Sequence, residues 1–104
     1  MSTGNEYLYL AGPMTGLPEF NHPAFNAAAQ ALRLAGYRVF NPAENGLAPT
    51  APWHEHMRAD IAALMQCEAV ATLPGCWQSE GARLETDVAK RVGMRVAPVD
   101  AWLF

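Results

Sequence analysis

The segment from Ser79 to Glu85 combines residue types that could bind an anion and supply a nucleophile. Ser79 can cap a helix, and the backbone amides of the next turn are then free to bind a negative group. Gly81 and Ala82 precede Glu85 by four and three residues, so the three share one helix face and leave a slot beside the carboxylate. A rise of about 9 Å along this segment would accommodate a sugar phosphate. The alternative is a solvated helical glutamate, which the spacing alone favours.

A second carboxylate, Asp60, lies among apolar residues of the preceding predicted helix. Met57, Ile61 and Leu64 follow one face of that helix, and Asp60 falls on the same side. A carboxylate there lies either at the edge of a pocket or at the margin of the core face. The spacing does not decide between these two positions.

Five residues, Gly12, Pro13, Met14, Thr15 and Gly16, follow the first predicted strand directly. The two glycines would let the backbone approach a ligand and turn its amides inward, as phosphate-binding nests do. Their spacing differs from the dinucleotide-binding fingerprint. A tight turn without a ligand is an equally good interpretation of this segment.

The histidines do not indicate a metal site. His54 and His56 lie two positions apart, and residues at that spacing on a helix face different directions. The spacing of Cys67 and Cys76 matches no zinc pattern. We therefore expect no metal, and two reduced thiols rather than a disulfide.

Apolar runs and helical periodicity alternate along the chain and predict the order β-α-β-α-β-α-β. The predicted strands are Tyr7–Ala11, Tyr37–Phe40, Val70–Leu73 and Met94–Val99, and the predicted helices are Ala24–Ala35 (capped by Asn21), one through Trp53 and Leu64, and Glu80–Val92. This order is typical of a three-layer, flavodoxin- or Rossmann-like α/β fold with a parallel sheet of about four to five strands and helices on both faces. The apolar tail, residues 100–104, is expected to pack somewhere, a neighbouring subunit being one option.

Ligands of such sheets bind outside the carboxyl ends of the strands, near the switch in strand order. Three segments fall there, namely Gly12–Phe20, Asn41–Pro52 and Pro74–Ala82. The candidate catalytic and anion-binding residues are therefore predicted to meet at one edge of the sheet.

Length and composition predict one globular domain over residues 1–104. Apolar residues make up 51% and charged residues 16% of the chain, and the net charge is −3. Without a basic stripe we expect no binding of a nucleic-acid polymer, and without an apolar run of about 18–20 residues no membrane span. The polar start, Met1 to Glu6, shows no signal peptide, which favours a cytoplasmic protein.

The run from Tyr9 to Gly16 (YLAGPMTG), together with Asn41 and Pro42 after the second strand, resembles a family of short bacterial and phage proteins. These proteins carry a domain of unknown function, DUF4406, and are similar to nucleoside 2-deoxyribosyltransferases and 2′-deoxynucleoside 5′-monophosphate N-glycosidases. The resemblance covers about residues 7–99. It implies the same fold, and it implies a homo-oligomer.

The resemblance also implies roles for individual residues. Glu85 resembles the nucleophilic glutamate of these enzymes, Asp60 the aspartate that protonates the departing base, and Tyr9 or Tyr7 a residue near the sugar. Enzymes acting on free nucleosides usually hold an aspartate where this chain has Ser79. A serine cap with free amides attracts a phosphate, whereas a carboxylate repels it. This favours a nucleoside 5′-monophosphate as substrate.

The predicted site therefore contains three catalytic residues, Glu85, Asp60 and Tyr9, and a larger substrate-binding set. That set consists of Gly12, Pro13, Met14, Thr15, Asn41, Ser79, Gly81, Ala82 and Arg83, the last as a partner for phosphate. The predicted reaction is cleavage or transfer of an N-glycosidic bond through a covalent glycosyl-glutamate, without a metal or organic cofactor. The alternatives are a non-catalytic nucleotide-binding module and a structural domain that keeps only the fold.

Overall fold

The computed structural model describes residues 6–104, and residues 1–5, part of the segment in which no signal peptide was found, lie outside the described residues. The strands are β1 (Tyr7–Ala11), β2 (Arg38–Phe40), β3 (Ala69–Thr72) and β4 (Arg95–Pro98), and the helices are α1 (His22–Leu34), α2 (Trp53–Leu64), α3 (Glu80–Arg91) and α4 (Val99–Leu103). No helix within residues 6–104 has the length and apolar character to cross a membrane.

All four strands of the described sheet are parallel, in the order β2-β1-β3-β4. Tyr9 of β1 lies opposite Phe40 of β2 on one side and Val70 of β3 on the other. The chain leaves β1 towards β2 and then returns to β3, so the order switches between β1 and β3. The predicted parallel α/β fold is confirmed.

Alternate residues of β1 point into two separate cores, because successive side chains of a strand face opposite sides of the sheet. Leu8 and Leu10 pack with buried residues of α1 and with Trp102 of α4. Tyr9 and Ala11 pack with buried residues of α2 and α3, including Leu64 and Ala89. The helices therefore cover both faces of the sheet.

The start of α1 differs from the prediction. Asn21 does not cap the helix through its side chain, which instead donates a hydrogen bond to the Pro13 carbonyl over 2.9 Å. Glu19, Phe20 and Asn21 all have left-handed φ angles of 53° to 59°. The chain needs this turn to reach α1 from the loop after β1, and the Asn21 bond fixes that loop. At its other end α1 stops at Leu34, one residue before the predicted end, and Ala35 is exposed.

The apolar tail packs on its own chain. Trp102 is buried against the core on the α1 side, and its indole Nε1 donates to the Ala97 carbonyl over 3.1 Å. The Tyr37 ring meets it edge-on, with 5.8 Å between ring centroids. Phe104, in contrast, is 99% exposed. The anchor of the tail is therefore this chain's own core.

Candidate active site

A cavity of about 270 Å³ opens at the carboxyl end of β1. Its walls come from the three segments predicted to meet there and from α2 and α3. The lining includes Gly12, Met14, Thr15 and Phe20 after β1, Pro42, Pro49 and Ala51 after β2, His56, Met57 and Asp60 of α2, and Ser79, Gly81, Ala82 and Glu85 at the start of α3. The structure thus brings together most of the predicted site.

Glu85 projects from α3 into this cavity and is only 5% exposed. The Tyr9 hydroxyl donates a hydrogen bond to Glu85 Oε2 over 2.8 Å. Tyr9 is itself fully buried, and its ring stacks on Phe40 with 5.5 Å between centroids. The surface position that spacing alone favoured for Glu85 is therefore wrong, because α3 turns this residue onto the sheet and away from solvent.

Burial controls the protonation of this pair. Loss of hydration raises the pKa of Glu85 to about 8, the Tyr9 bond opposes the rise, and the charge of Asp60 adds to it. Burial, followed by the charges of Glu85 and Asp60, also raises the pKa of Tyr9 well above its ordinary value. Tyr9 therefore keeps its proton and remains a hydrogen-bond donor to Glu85.

Asp60 lines the same cavity from α2 and is 6% exposed. The Asn45 side-chain amide donates a hydrogen bond to Asp60 Oδ1 over 3.1 Å. Burial raises the pKa of Asp60, while the Asn45 bond and the nearby His56 act in the opposite direction. Of the two positions left open for Asp60, the structure shows the one at a pocket.

The start of α3 has the capping geometry expected from the sequence. Ser79 is extended, and its Oγ accepts a hydrogen bond from the Ala82 amide over 3.2 Å. The amides of Glu80 and Gly81 have no hydrogen-bond partner within residues 6–104. These amides and the Ser79 hydroxyl could bind an anion beside Glu85.

Gly81 lies at the contact between α3 and α2. A Cβ atom built there would lie 3.2 Å from Met57 Sδ and 3.5 Å from Trp53 Nε1. Both of those side chains belong to α2 and line the cavity. A side chain at Gly81 would therefore press on Met57 and Trp53 at the wall of the cavity.

Gly12 also has a packing role. A Cβ atom built there would lie 2.9 Å from Leu73 Cβ at the end of β3. Met14 and Thr15 line the cavity, but Pro13 lies instead in an adjoining shallow cleft, near the left-handed Gly75. The close backbone approach that the sequence predicted at Gly12 is therefore made by Leu73, at the end of β3.

Besides Pro13, two residues of the predicted substrate-binding set lie outside the cavity lining. Asn41 is buried, donates to Asn26 Oδ1 over 2.9 Å and accepts from the Ala43 amide over 3.0 Å, so it caps the short turn after β2. Arg83 is exposed and donates to the Trp77 carbonyl over 3.2 Å. In this conformation neither side chain faces the cavity.

Sequence reasoning missed several residues of the cavity. His56 and Asp60 are four residues apart on α2, and this spacing places them on one face. Phe20 and His22 also line the cavity, and they lie at the left-handed turn that leads into α1. Asn45 sits in a loop without periodicity, so no sequence pattern marks it.

No group of three or more His, Cys, Asp or Glu side chains in the described range could hold a metal ion.

The parallel sheet, with a buried pair of carboxyl groups beside a cavity at its carboxyl edge, defines an α/β protein with a candidate ligand site at the switch in strand order. Residues 6–98 match the family described as a domain of unknown function, DUF4406, and the chain belongs to that family. The fold is similar to that of a 2-deoxyribosyltransferase from the psychrotolerant bacterium Bacillus psychrosaccharolyticus, with a TM-score of 0.69 and 22% identity over 86% of this chain and 69% of that chain. No curated protein matches the sequence.

Proposed function

We propose that the protein cleaves the N-glycosidic bond of a (deoxy)nucleoside 5′-monophosphate, with Glu85 as the nucleophile. The observation that carries the proposal is the buried Glu85 carboxyl, held by the Tyr9 hydroxyl in a cavity that Asp60 also lines. Paired carboxyl groups beside a cavity suit a reaction with an oxocarbenium-like transition state. The likeness of the fold to a 2-deoxyribosyltransferase supports the same class of reaction.

The proposed reaction has two steps. Glu85 Oε1, the oxygen without the Tyr9 bond, attacks the anomeric carbon while the bond to the base breaks and its electron pair moves to the base. Asp60 gives the departing base a proton. Water then attacks the glycosyl-glutamate ester, Asp60 takes back a proton, and the sugar phosphate leaves with Glu85 restored. A second base in place of water would make the reaction a transfer.

This mechanism requires one proton on the pair of carboxyl groups. Burial raises both pKa values, that of Glu85 to about 8, so the pair holds a proton in the empty site at pH 7. The reactive form carries its proton on Asp60, and the Tyr9 bond favours the carboxylate form of Glu85. The pH profile of kcat/KM should therefore be bell-shaped, because acid adds a second proton to the pair of carboxyl groups and base removes the one proton that the reaction needs.

The start of α3 favours a phosphate on the substrate. The free amides of Glu80 and Gly81 and the Ser79 hydroxyl lie along the same helix as Glu85 and could bind a 5′-phosphate. In the structure as described, the exposed Arg83 is not needed for this contact. We therefore place the phosphate at Ser79 and the anomeric carbon at Glu85.

The test is chromatographic separation of free bases after incubation with ribo- and deoxynucleoside 5′-monophosphates. Wild type should release base from at least one of them, and Glu85→Gln should release none while keeping its fold. Added free bases would yield new nucleotides if the enzyme is a transferase. Absence of base release by folded wild type across the whole panel would contradict the proposal.

A variant at Ser79 tests the phosphate site within the same experiment. Aspartate is also a good N-cap, so Ser79→Asp should keep α3 intact. Its charge should raise KM for a monophosphate by about 10-fold or more, equivalent to about 1.4 kcal/mol, and leave the corresponding nucleoside unaffected. An equal effect on both substrates would show that the phosphate does not bind at Ser79.

One observation favours a second candidate, a non-catalytic nucleotide-binding module. With a pKa of about 8, Glu85 is mostly neutral in the empty site at pH 7, and a neutral carboxyl group is a hydrogen-bond donor rather than a nucleophile. Such a module would be stabilised against heat by a nucleotide, and Glu85→Gln would keep this stabilisation. It would release no base.

A further inference from the structure

Asn45, in the loop between β2 and α2, joins two residues that line the cavity. Its Nδ2 lies 3.1 Å from Asp60 Oδ1 and 3.1 Å from His56 Nδ1. Its Oδ1 accepts a hydrogen bond from the Leu47 amide over 3.0 Å. One side-chain amide therefore has three partners, two of them at the candidate site.

These contacts fix the positions of hydrogen atoms. Because the Leu47 amide can only donate, the side-chain oxygen of Asn45 must face it, and both hydrogens of Nδ2 point to His56 and Asp60. His56 Nδ1 must then accept, so the ring hydrogen is on Nε2. Nε2 lies 3.0 Å from the Ala48 carbonyl, which can only accept. Each donor in this chain of contacts meets an acceptor.

The same contacts hold one wall of the cavity. Asn45 and Ala48 belong to the loop that carries Pro49 and Ala51 to the cavity, and His56 and Asp60 belong to α2. The loop is thus tied to the helix by side chains rather than by regular secondary structure. Loss of the Asn45 amide would release Asp60 and leave the contact of His56 with the Ala48 carbonyl as the remaining side-chain tie of this network between loop and helix.

We propose that Asn45, supported by His56, is a positioning residue that aims the Asp60 carboxyl group at the departing base. The Asn45 amide holds Asp60 Oδ1, so the proton of the acid form is carried by Oδ2. That proton passes from Oδ2 to the base as the glycosidic bond breaks, and His56 neither gives nor takes a proton. The inference rests on the proposed function and names the device that orients its acid.

Charged and titratable groups reach Asp60 from three elements. His56 lies on the same helix, Glu85 on α3 and Tyr9 on β1. The Asn45 bond lowers the pKa of Asp60 against the effect of burial. Removal of that bond should therefore raise the pKa of Asp60 while leaving its proton poorly aimed, a combination that a purely structural role would not produce.

The first experiment needs no substrate. In the full chain, nitrogen NMR of the His56 ring should show the neutral form with its hydrogen on Nε2, and carboxyl-carbon NMR should follow the titration of Asp60. Asn45→Ala and Asn45→Asp should both move that titration to higher pH. The control is Glu44→Gln, a neighbouring exposed residue paired with Arg33, which should leave it in place. A hydrogen on Nδ1 of His56, or an unmoved Asp60 titration, would overturn the network.

The second experiment separates proton donation from other roles. In a second substrate, a 4-nitrophenoxy group replaces the base of the deoxyribose 5′-phosphate. Release of this group needs no acid, because it leaves as the stable 4-nitrophenolate anion. Asn45→Asp keeps the acceptor for Leu47 and should lower kcat/KM for a natural nucleotide by about 10- to 100-fold and leave kcat/KM for the nitrophenyl substrate within about 2-fold. The comparison uses kcat/KM because this ratio reports the first step, whereas the later attack of water uses Asp60 with both substrates.

Equal losses on the two substrates would overturn the positioning role. If folded wild type cleaves neither substrate, the proposed function fails and the catalytic role of Asn45 fails with it. The NMR experiment would then still decide whether the hydrogen-bond network exists. The failure of the inference and the failure of the proposed function are therefore distinguishable.

Discussion

Burial of Glu85 has a consequence for stability that requires no substrate. Its pKa is about 8 in the folded protein and about 4.5 in an exposed chain, so the folded state holds a proton that the unfolded state releases between these values. The free energy of unfolding should therefore fall as pH rises through this window. Glu85 stays neutral in the fold at the cost of stability at high pH.

Glu85→Gln should remove this dependence, because glutamine resembles the protonated form and does not titrate. We expect the difference in melting temperature between Glu85→Gln and wild type to grow in favour of the variant between pH 5 and pH 8.5. Thermal unfolding at several pH values measures it. A difference that stays constant over this range would show that Glu85 has an ordinary pKa in the fold.

Tyr9 should act on the reaction through its hydroxyl alone. Tyr9→Phe keeps the ring that stacks on Phe40 but removes the bond to Glu85, and should lower kcat/KM about 10- to 100-fold, as expected for a hydrogen bond to a charged group. The limb of the pH profile that reports the titration of Glu85 should move to higher pH, because the Tyr9 bond lowers the pKa of Glu85. Tyr37→Phe, which loses a hydroxyl bond to the Trp102 carbonyl, is the control. If the limb that reports Glu85 stays at the same pH in Tyr9→Phe, this role of Tyr9 is excluded.

At the level of single residues, the family resemblance predicted more than the spacing did. Tyr9 and Glu85 are 76 positions apart. Their contact depends on how α3 packs against β1, which no local sequence pattern encodes. The Asn45 network was missed for the same reason. Asn41 and Arg83 were assigned to the site by sequence but form local contacts outside the cavity.

Among the elements, the contact between the end of β1 and the end of β3 sets the shape of the cavity floor. The alanine Cβ of Gly12→Ala would fall 2.9 Å from Leu73 Cβ, both of them fixed by the sheet, so the strands must move apart. We expect a loss of about 1–3 kcal/mol in the free energy of unfolding, measured by chemical denaturation.

A double variant tests this explanation. Leu73→Ala removes the outer part of the side chain, although not the Cβ atom itself, so Gly12→Ala should cost less in that background than in wild type. Additive losses would mean that Gly12 is required for another reason. In either result the cavity can be checked by nucleotide binding.

The elements themselves were largely predictable, because buried parallel strands are short apolar runs and each is followed by a turn signal. Gly36 and Gly93 follow helices α1 and α3 in the left-handed conformation, for which glycine is the preferred residue. The start of α1 was not predictable, because the Asn21 side chain bonds to Pro13 in a turn that the tertiary structure imposes. Local propensity could not have shown that competition.

At the scale of the whole molecule, the tail closes the core on the α1 side. Trp102→Ala should reduce the free energy of unfolding by about 3–5 kcal/mol, since a large buried ring is lost. Phe104→Ala, two residues further and 99% exposed, should change it by less than about 0.5 kcal/mol. Chemical denaturation of both variants measures the contrast, and equal losses would contradict this account of the tail.

The homo-oligomer implied by the family resemblance stays a prediction. Trp53, at the cavity, and Trp77 are each about half exposed in the single chain, although a large apolar side chain on a surface does not by itself define an interface. Sedimentation across a range of protein concentrations would give the assembly directly. A monomer at all concentrations would contradict the prediction and leave the site to one chain.

The most direct test of the central claim is to trap the covalent intermediate. Wild type is mixed with the nucleoside monophosphate that it cleaves, quenched rapidly in acid and mapped by peptide mass spectrometry. A glycosyl-phosphate adduct on the peptide that contains Glu85, absent from Glu85→Gln, is the predicted result. Base release without an adduct at Glu85, or base release that persists in Glu85→Gln, would show that Glu85 is not the nucleophile.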